Sequence, residues 1–160
     1  MFFLLNTPEY TNVQSNTTKV KVHLRNGVAE VFDQHQDLIG TIDNNIVEIE
    51  TNFENRLEKI LFVLQDAVFV VSNKGLDATA ETKGTSIYIY AKRAKEINSA
   101  LSVEEMTKQY EQKNTQLENE IQKLAADGSA VLTNSKILLL QEETTFLKKV
   151  LTILKERKGS

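Results

Sequence analysis

Apolar and polar residues alternate with a period of two through the first half of the chain and with a period of three to four through the second. In KVKVHL (19–24), Val20, Val22 and Leu24 fall on one side and Lys19, Lys21 and His23 on the other, the mark of a half-buried strand. Arg25-Asn26-Gly27 supplies a turn, with Gly27 suited to positive φ, and VAEVF (28–32) resumes the extended pattern, so a hairpin is expected. The opening MFFLL has no basic leader and is too short for a secretory apolar stretch, so it reads as a first strand. Further strands are expected over 46–51, 57–64, 67–72 and 85–91, the last alternating as TSIYIYA with Ile87 and Ile89 opposite Tyr88 and Tyr90. Asn44-Asn45, Gln65-Asp66, Asn73-Lys74-Gly75 and Lys83-Gly84 are the expected turns between them. Short strands at this spacing, uninterrupted by helical periodicity, predict an antiparallel β-sandwich over 1–92.

Beyond a connector at 93–101 the period changes. Ser102-Val-Glu-Glu105 has the spacing of a capping box, and Val103, Met106, Tyr110, Leu117, Ile121 and Leu124 recur at helical intervals, giving an amphipathic helix of about 23 residues. Asp127-Gly128 breaks it. Leu132, Leu139, Phe146, Val150 and Ile153 then set a second stripe, widened by Ile137, Leu138, Leu140, Leu147, Leu151 and Leu154. The short turn and matched lengths predict an antiparallel two-helix hairpin over 102–158. The expected fold class is therefore α+β, an N-terminal antiparallel β-sandwich followed by a C-terminal helical hairpin. The first stripe is expected as the seam between the helices. The second helix carries more apolar side chains than one neighbour covers, so part of it is expected against the β-domain or another subunit.

Composition narrows the function. A 41% hydrophobic, 26% charged chain has the balance of a globular protein, and no apolar run reaches the roughly 18–20 residues of a spanning helix, so direct membrane insertion is not expected. A net charge of −3 offers no global positive field for nucleic acid. The absence of cysteine excludes disulfides, thiol catalysis and thiolate zinc sites. No nucleophile elbow, phosphate loop, dinucleotide fingerprint or zincin motif occurs, so a non-catalytic protein without a cofactor is expected. At the C-terminus Lys148, Lys149, Lys155, Arg157 and Lys158 stand against one acid, Glu156; they suit a helix C-terminal dipole, or an acidic partner surface.

The segment GVAEVFDQHQDLIG (27–40) is the most distinctive. His35 between Asp33 and Asp37, with His23 elsewhere, could contribute metal ligands, but zinc or iron sites need three or four donors. The plainer reading is a β-corner in which His35 bonds the backbone or faces a partner and the carboxylates beside it are solvated.

TPEY (7–10), VKVHLRNGVAEVFDQHQDLIGTI (20–42), AKRAKEINSALSVEEM (91–106) and the helical hairpin after about one hundred residues come in one order. In this the chain resembles the epsilon subunit of F-type ATP synthase, called delta in mitochondria. Gly27, Val31, His35 and Leu38 stand at the places of the family's G-x-x-G-V-x-x-x-H-A-P-L segment. The resemblance implies a ten-stranded β-sandwich docked through this corner on the rotating gamma subunit, with the hairpin folded down or extended towards the alpha/beta catalytic hexamer. It implies that Lys148, Lys149, Lys155 and Arg157 would face acidic loops of the catalytic subunits. It also implies a cytoplasmic position, attached peripherally to the inner face of the cell membrane through the complex.

Departures from the family are specific. Gln36-Asp37 replaces Ala-Pro, and Gln65-Asp66 replaces Gly-Gly. Val28 stands where some members carry an acid for the c-ring, with Glu30 two places on, so c-ring docking does not carry over. LSVEEM (101–106) lacks the arginine of members that bind ATP, so no ATP sensing is expected. The Asn- and Lys-rich, tryptophan-free composition suggests an AT-rich bacterial genome and leaves open a diverged rotary motor not coupled to a proton channel. A free-standing adaptor that self-associates through its second helix is the alternative from another class.

Overall fold

The computed structural model describes residues 1–73, 84–128 and 134–159. Backbone contacts divide the chain into two units, Met1–Asn98 and Ser99–Ser160. The first holds the strands β1 (Phe2–Asn6), β2 (Thr11–Gln14), β3 (Thr17–Leu24), β4 (Gly27–Val31), β5 (Leu38–Phe53), β6 (Arg56–Ser72) and β7 (Ser86–Glu96). The second holds α1 (Val103–Ala126) and α2 (Ser135–Lys158). The α+β class is as expected. The last strand runs on to Glu96, so the connector starts at 97 instead of 93.

The strands form one hydrogen-bonded sheet in the order β2-β1-β7-β6-β5-β3-β4. All neighbours are antiparallel except β1 and β7, which run parallel. Two expected turns are absent. Asn44-Asn45 lies inside β5 and Gln65-Asp66 inside β6, and these strands pair in a constant register from Leu38 opposite Val71 to Phe53 opposite Arg56. The turn joining them is Glu54-Asn55, both at positive φ (48° and 64°), as a two-residue hairpin loop of the primed type requires. Its sequence contains no glycine, which hid it.

The long strands change face part-way. In β5 the inward positions are Leu38, Gly40 and Ile42, then Val47, Ile49 and Thr51; in β6 they are Phe62 and Leu64, then Ala67, Phe69 and Val71. In β7, Ile87, Ile89 and Ala91 give way to Ala94. The ladder skips one row here, Asp43, Asp66 and Lys92, and Asp66 takes a φ of 49°. A parity switch shared by three adjacent strands is a fold line, because side chains on a pleated strand otherwise keep to alternate faces. The sheet doubles over it into two layers around one core, in which Phe3, Leu5, Ile87 and Ile89 from one end join Val20, Val22 and Val31 from the other. Met1 and Thr17 exchange backbone hydrogen bonds of 2.8 and 3.1 Å, tying the start of β1 to the start of β3 across the open side. Counted once per layer, the three bent strands reconcile the seven observed with the ten that the resemblance implies.

In the second unit the Ser102 hydroxyl caps α1 by accepting the Glu105 N–H (3.3 Å), and the Asn134 side chain caps α2 by accepting from Lys136 and Ile137 (3.0 and 3.2 Å). The helices are antiparallel: Lys136 meets Glu120 at 2.8 Å, Lys113 meets Glu143 at 3.0 Å, and Lys158 Nζ donates to the Leu101 carbonyl at 2.6 Å. The α1 stripe is the expected one, with Met106 buried and the rest half-buried. On α2 the expected anchors Phe146 and Val150 are buried, whereas Leu139 and Ile153 are not. Ile137, Leu140, Thr144, Leu151 and Leu154 are buried with Phe146 and Val150, while the expected anchor Leu139 is 47% exposed. The Glu120–Lys136 register fixes which side of α2 meets α1, and that side contains Leu140, not Leu139. Leu132 lies outside the described residues.

Candidate docking surface

Between β4 and β5 the chain turns a corner over Phe32 to Asp37. The His35 N–H donates to the Phe32 carbonyl at 3.1 Å, and Gln34 takes a φ of 65°, a left-handed conformation that a residue with a Cβ adopts at a cost. The corner is tied to the β6–β7 side of the sheet. Thr85, buried just before β7, donates its N–H to Asp33 Oδ1 (3.2 Å). Its hydroxyl accepts the Gln34 N–H (2.6 Å) and donates to Asn73 Oδ1 (2.7 Å). Asn73 in turn donates its N–H to Asp37 Oδ1 (3.0 Å) and its side-chain amide to the His35 carbonyl. His35 Nδ1 lies 2.8 Å from the Gln36 carbonyl and therefore donates to it. The N–H of Thr85 on its carboxylate holds Asp33 below the ordinary carboxyl range.

Asp33 and Asp37, expected as solvated carboxylates, are thus exposed but anchored on backbone N–H groups. They are not brought together with His23, whose Nε2 lies 2.9 Å from Glu48 Oε2 on the β3–β5 pair. Among the described residues no three of His, Cys, Asp and Glu converge to hold a metal ion.

The four residues expected to face a partner are placed differently from one another. His35 is half-buried in the corner, and Leu38 beside it is partly buried against the core. Val31 is fully buried in that core, so its part is to support the corner from beneath, not to touch a partner. Gly27, exposed at a φ of 149°, stands at the other end of β4, about 13 Å away at strand rise. The basic residues lie in the other unit: Lys148, Lys155 and Arg157 are exposed on α2 and Lys149 is half-buried.

Sequence reasoning missed an apolar outer face that begins where the corner ends. Val13, Leu4, Tyr88, Val70 and Ile39 stand directly opposite one another across β2, β1, β7, β6 and β5, a continuous apolar row over five strands. Ile39 is 74% exposed and Val13 51%. In the next row Tyr90 and Val68 are neighbours and also exposed, and the Phe2 ring lies 6.1 Å from that of Tyr88. Phe32, in the corner itself, is half exposed. The signal was in the sequence: FFLL, AVFVV and SIYIY are apolar at both alternate positions, whereas a strand with one wet face shows polar residues at every second place. A contiguous apolar patch on a folded surface marks a place where something binds.

No protein-family model matches this sequence, and no curated protein matches it. Among solved structures, a chain of the Euglena gracilis mitochondrial ATP synthase, from its OSCP/F1/c-ring part in rotational state 1, has a similar fold. The TM-score is 0.59 at 12% identity, covering 95% of this chain and 79% of that one. A chain of the Tetrahymena thermophila mitochondrial ATP synthase central stalk and c-ring is more distant, with a TM-score of 0.45 at 9% identity over 66% of this chain and 69% of that one. At 12% identity the likeness is one of fold, and it extends over almost the whole chain.

Proposed function

We propose that this protein is a non-catalytic rotor subunit of an F-type ATP synthase or a related rotary ATPase, docked on a gamma-like central-stalk subunit. The observation that carries this reading is the apolar row from Val13 to Ile39, a surface of partner-binding character on a chain that shares its fold with a mitochondrial ATP synthase chain. The corner residues Phe32, His35 and Leu38 border that row, so gamma would meet a mostly apolar face with an imidazole at its rim. Fold alone does not assign function, so the weight rests on the surface and on the order of motifs. The alpha/beta hexamer would be reached through the hairpin, with Lys148, Lys149, Lys155 and Arg157 facing acidic loops. Attachment to the membrane would be peripheral, at the inner face and through the complex; among the described residues no helix is long and apolar enough to cross a bilayer. Docking on a c-ring is not part of the proposal, since Val28 stands where an acid would be needed.

The test is a gentle pull-down of tagged protein from its native cells with mass spectrometry of everything retained. Recovery of gamma-, alpha- and beta-like subunits in fixed ratio is the expected result, and c-ring subunits beside them would distinguish a synthase from an uncoupled motor. Recovery of none of the three would overturn the proposal. A self-associating adaptor has one observation in its favour, the exposed pair Leu138 and Leu139 on α2. A stable homodimer in sedimentation, without any ATPase subunit, would establish it.

A further inference from the structure

We infer that Thr85 and Asn73 are positioning residues for the docking corner: they, and not the corner's own sequence, hold Phe32 to Asp37 in its binding conformation. The inference rests on the docking reading above and adds to it the residues that fix the shape of the surface.

The corner's local stiffening is confined to two hydrogen bonds of His35. Phe32-Asp-Gln-His-Gln-Asp37 contains neither proline nor glycine, and Gln34 sits at a φ of 65°, which its Cβ disfavours. Among the described residues the turn has within itself one backbone–backbone hydrogen bond, from the His35 N–H to the Phe32 carbonyl, and one side-chain bond, from His35 Nδ1 to the Gln36 carbonyl. What holds it is a set of bonds from two residues remote in sequence. The Thr85 hydroxyl acts in both directions, accepting from Gln34 and donating to Asn73, while its N–H reaches Asp33 and its carbonyl accepts the Phe2 N–H at 3.1 Å. Asn73 then closes the far side on Asp37 and the His35 carbonyl. Every backbone group of Thr85 that could join the corner to the sheet is thus engaged, and the residue is 1% exposed, so water does not compete for its hydroxyl. Gly84 takes a φ of 132°, so the chain enters Thr85 by a path that side chains disfavour.

The consequence is preorganisation. Phe32 and His35, at the rim of the apolar face, are held before a partner arrives, so association does not have to order a six-residue segment. Asp33 and Asp37 flank His35 as the acceptors of this network, which gives both carboxylates a use that needs neither metal nor catalysis.

The experiment compares wild type with Thr85→Val, which keeps the shape and removes the hydroxyl, and with Thr85→Ser, which keeps the hydroxyl. Two readouts are taken on the full chain. The first is amide hydrogen exchange of the protein alone. Thr85→Val is expected to speed exchange at Gln34 and His35 by about tenfold while the amides of β5, β6 and both helices keep their protection, with Thr85→Ser near wild type. The second is dissociation from the gamma-like subunit recovered with the wild type, expected to be about tenfold faster for Thr85→Val and close to wild type for Thr85→Ser. Unchanged exchange at the corner would overturn the inference, and so would a loosened corner with unchanged dissociation. Should Thr85→Val unfold globally, Asn73→Ala takes its place in both readouts. If the wild type recovers no gamma-like subunit, the docking reading fails, while the exchange readout still decides whether Thr85 holds the corner.

Discussion

At the scale of the residue, chemistry near His35 is set by what its neighbours are bonded to. Asp33 receives the Thr85 N–H, and this holds its carboxyl below the ordinary value of 3.8. A group whose value is lower folded than unfolded stabilises the fold above the unfolded value and loses that contribution as pH falls through the folded one. The Thr85 amide resonance should therefore stay constant from neutrality to about pH 4 and move below it, and Asp33→Asn should abolish the step. An NMR titration checks this. Gly40 is the other position where one atom decides. A Cβ there would lie 2.3 Å from the Phe69 ring, which covers the glycine from the neighbouring strand, so Gly40→Ala should destabilise the protein by about 1–3 kcal/mol in urea unfolding. His35 was legible as a corner residue because its surroundings alternate like strands on either side. Its supports were not, because Thr85 lies some fifty positions away and nothing local to it announces the contact.

At the scale of the element, periodicity located both helices and every strand except β2 (Thr11–Gln14), but misjudged where two elements stop. Asn44-Asn45 and Gln65-Asp66 have turn chemistry, yet strand pairing on both sides carries β5 and β6 straight through them. The polar residues there mark the fold line of the sheet, where the ladder register skips one row. For α2, the apolar residues are so numerous that 3.6-residue spacing admits two neighbouring stripes, and only the pairing with α1 chooses between them. Adjacent leucines provide the check. Leu140→Ala should cost about 2–5 kcal/mol, as truncation of a buried leucine does, while Leu139→Ala should stay within about 0.5 kcal/mol, both read from thermal or urea unfolding.

At the scale of the whole molecule, the two units invite separate tests. Residues 1–98 contain the core cluster and its closing hydrogen bonds, so this piece should unfold cooperatively by itself and, on the proposed function, bind a gamma-like subunit as the full chain does. Within it Ile39→Asp should reduce that affinity by at least about tenfold, since it places a charge on the apolar row, and should leave the melting temperature within a few degrees because Ile39 is exposed. Calorimetry and a binding isotherm on the same sample separate the two effects. Retained affinity in Ile39→Asp would place the contact elsewhere on the β-unit.

The sequence by itself determined the α+β order, the turn at Gly27, the caps at Ser102 and the amphipathic stripe of α1, because each is written in residues close together along the chain. It also carried, unread, the doubly apolar strands behind the outer face. Tertiary structure alone decided that Val31 is core and not surface, that Asp33 and Asp37 are anchors, that Leu140 and not Leu139 is covered, and that five apolar residues from five strands form one row. Each of these depends on which distant strand or helix lies alongside, and register between distant segments is a property of the packed molecule that no local pattern contains.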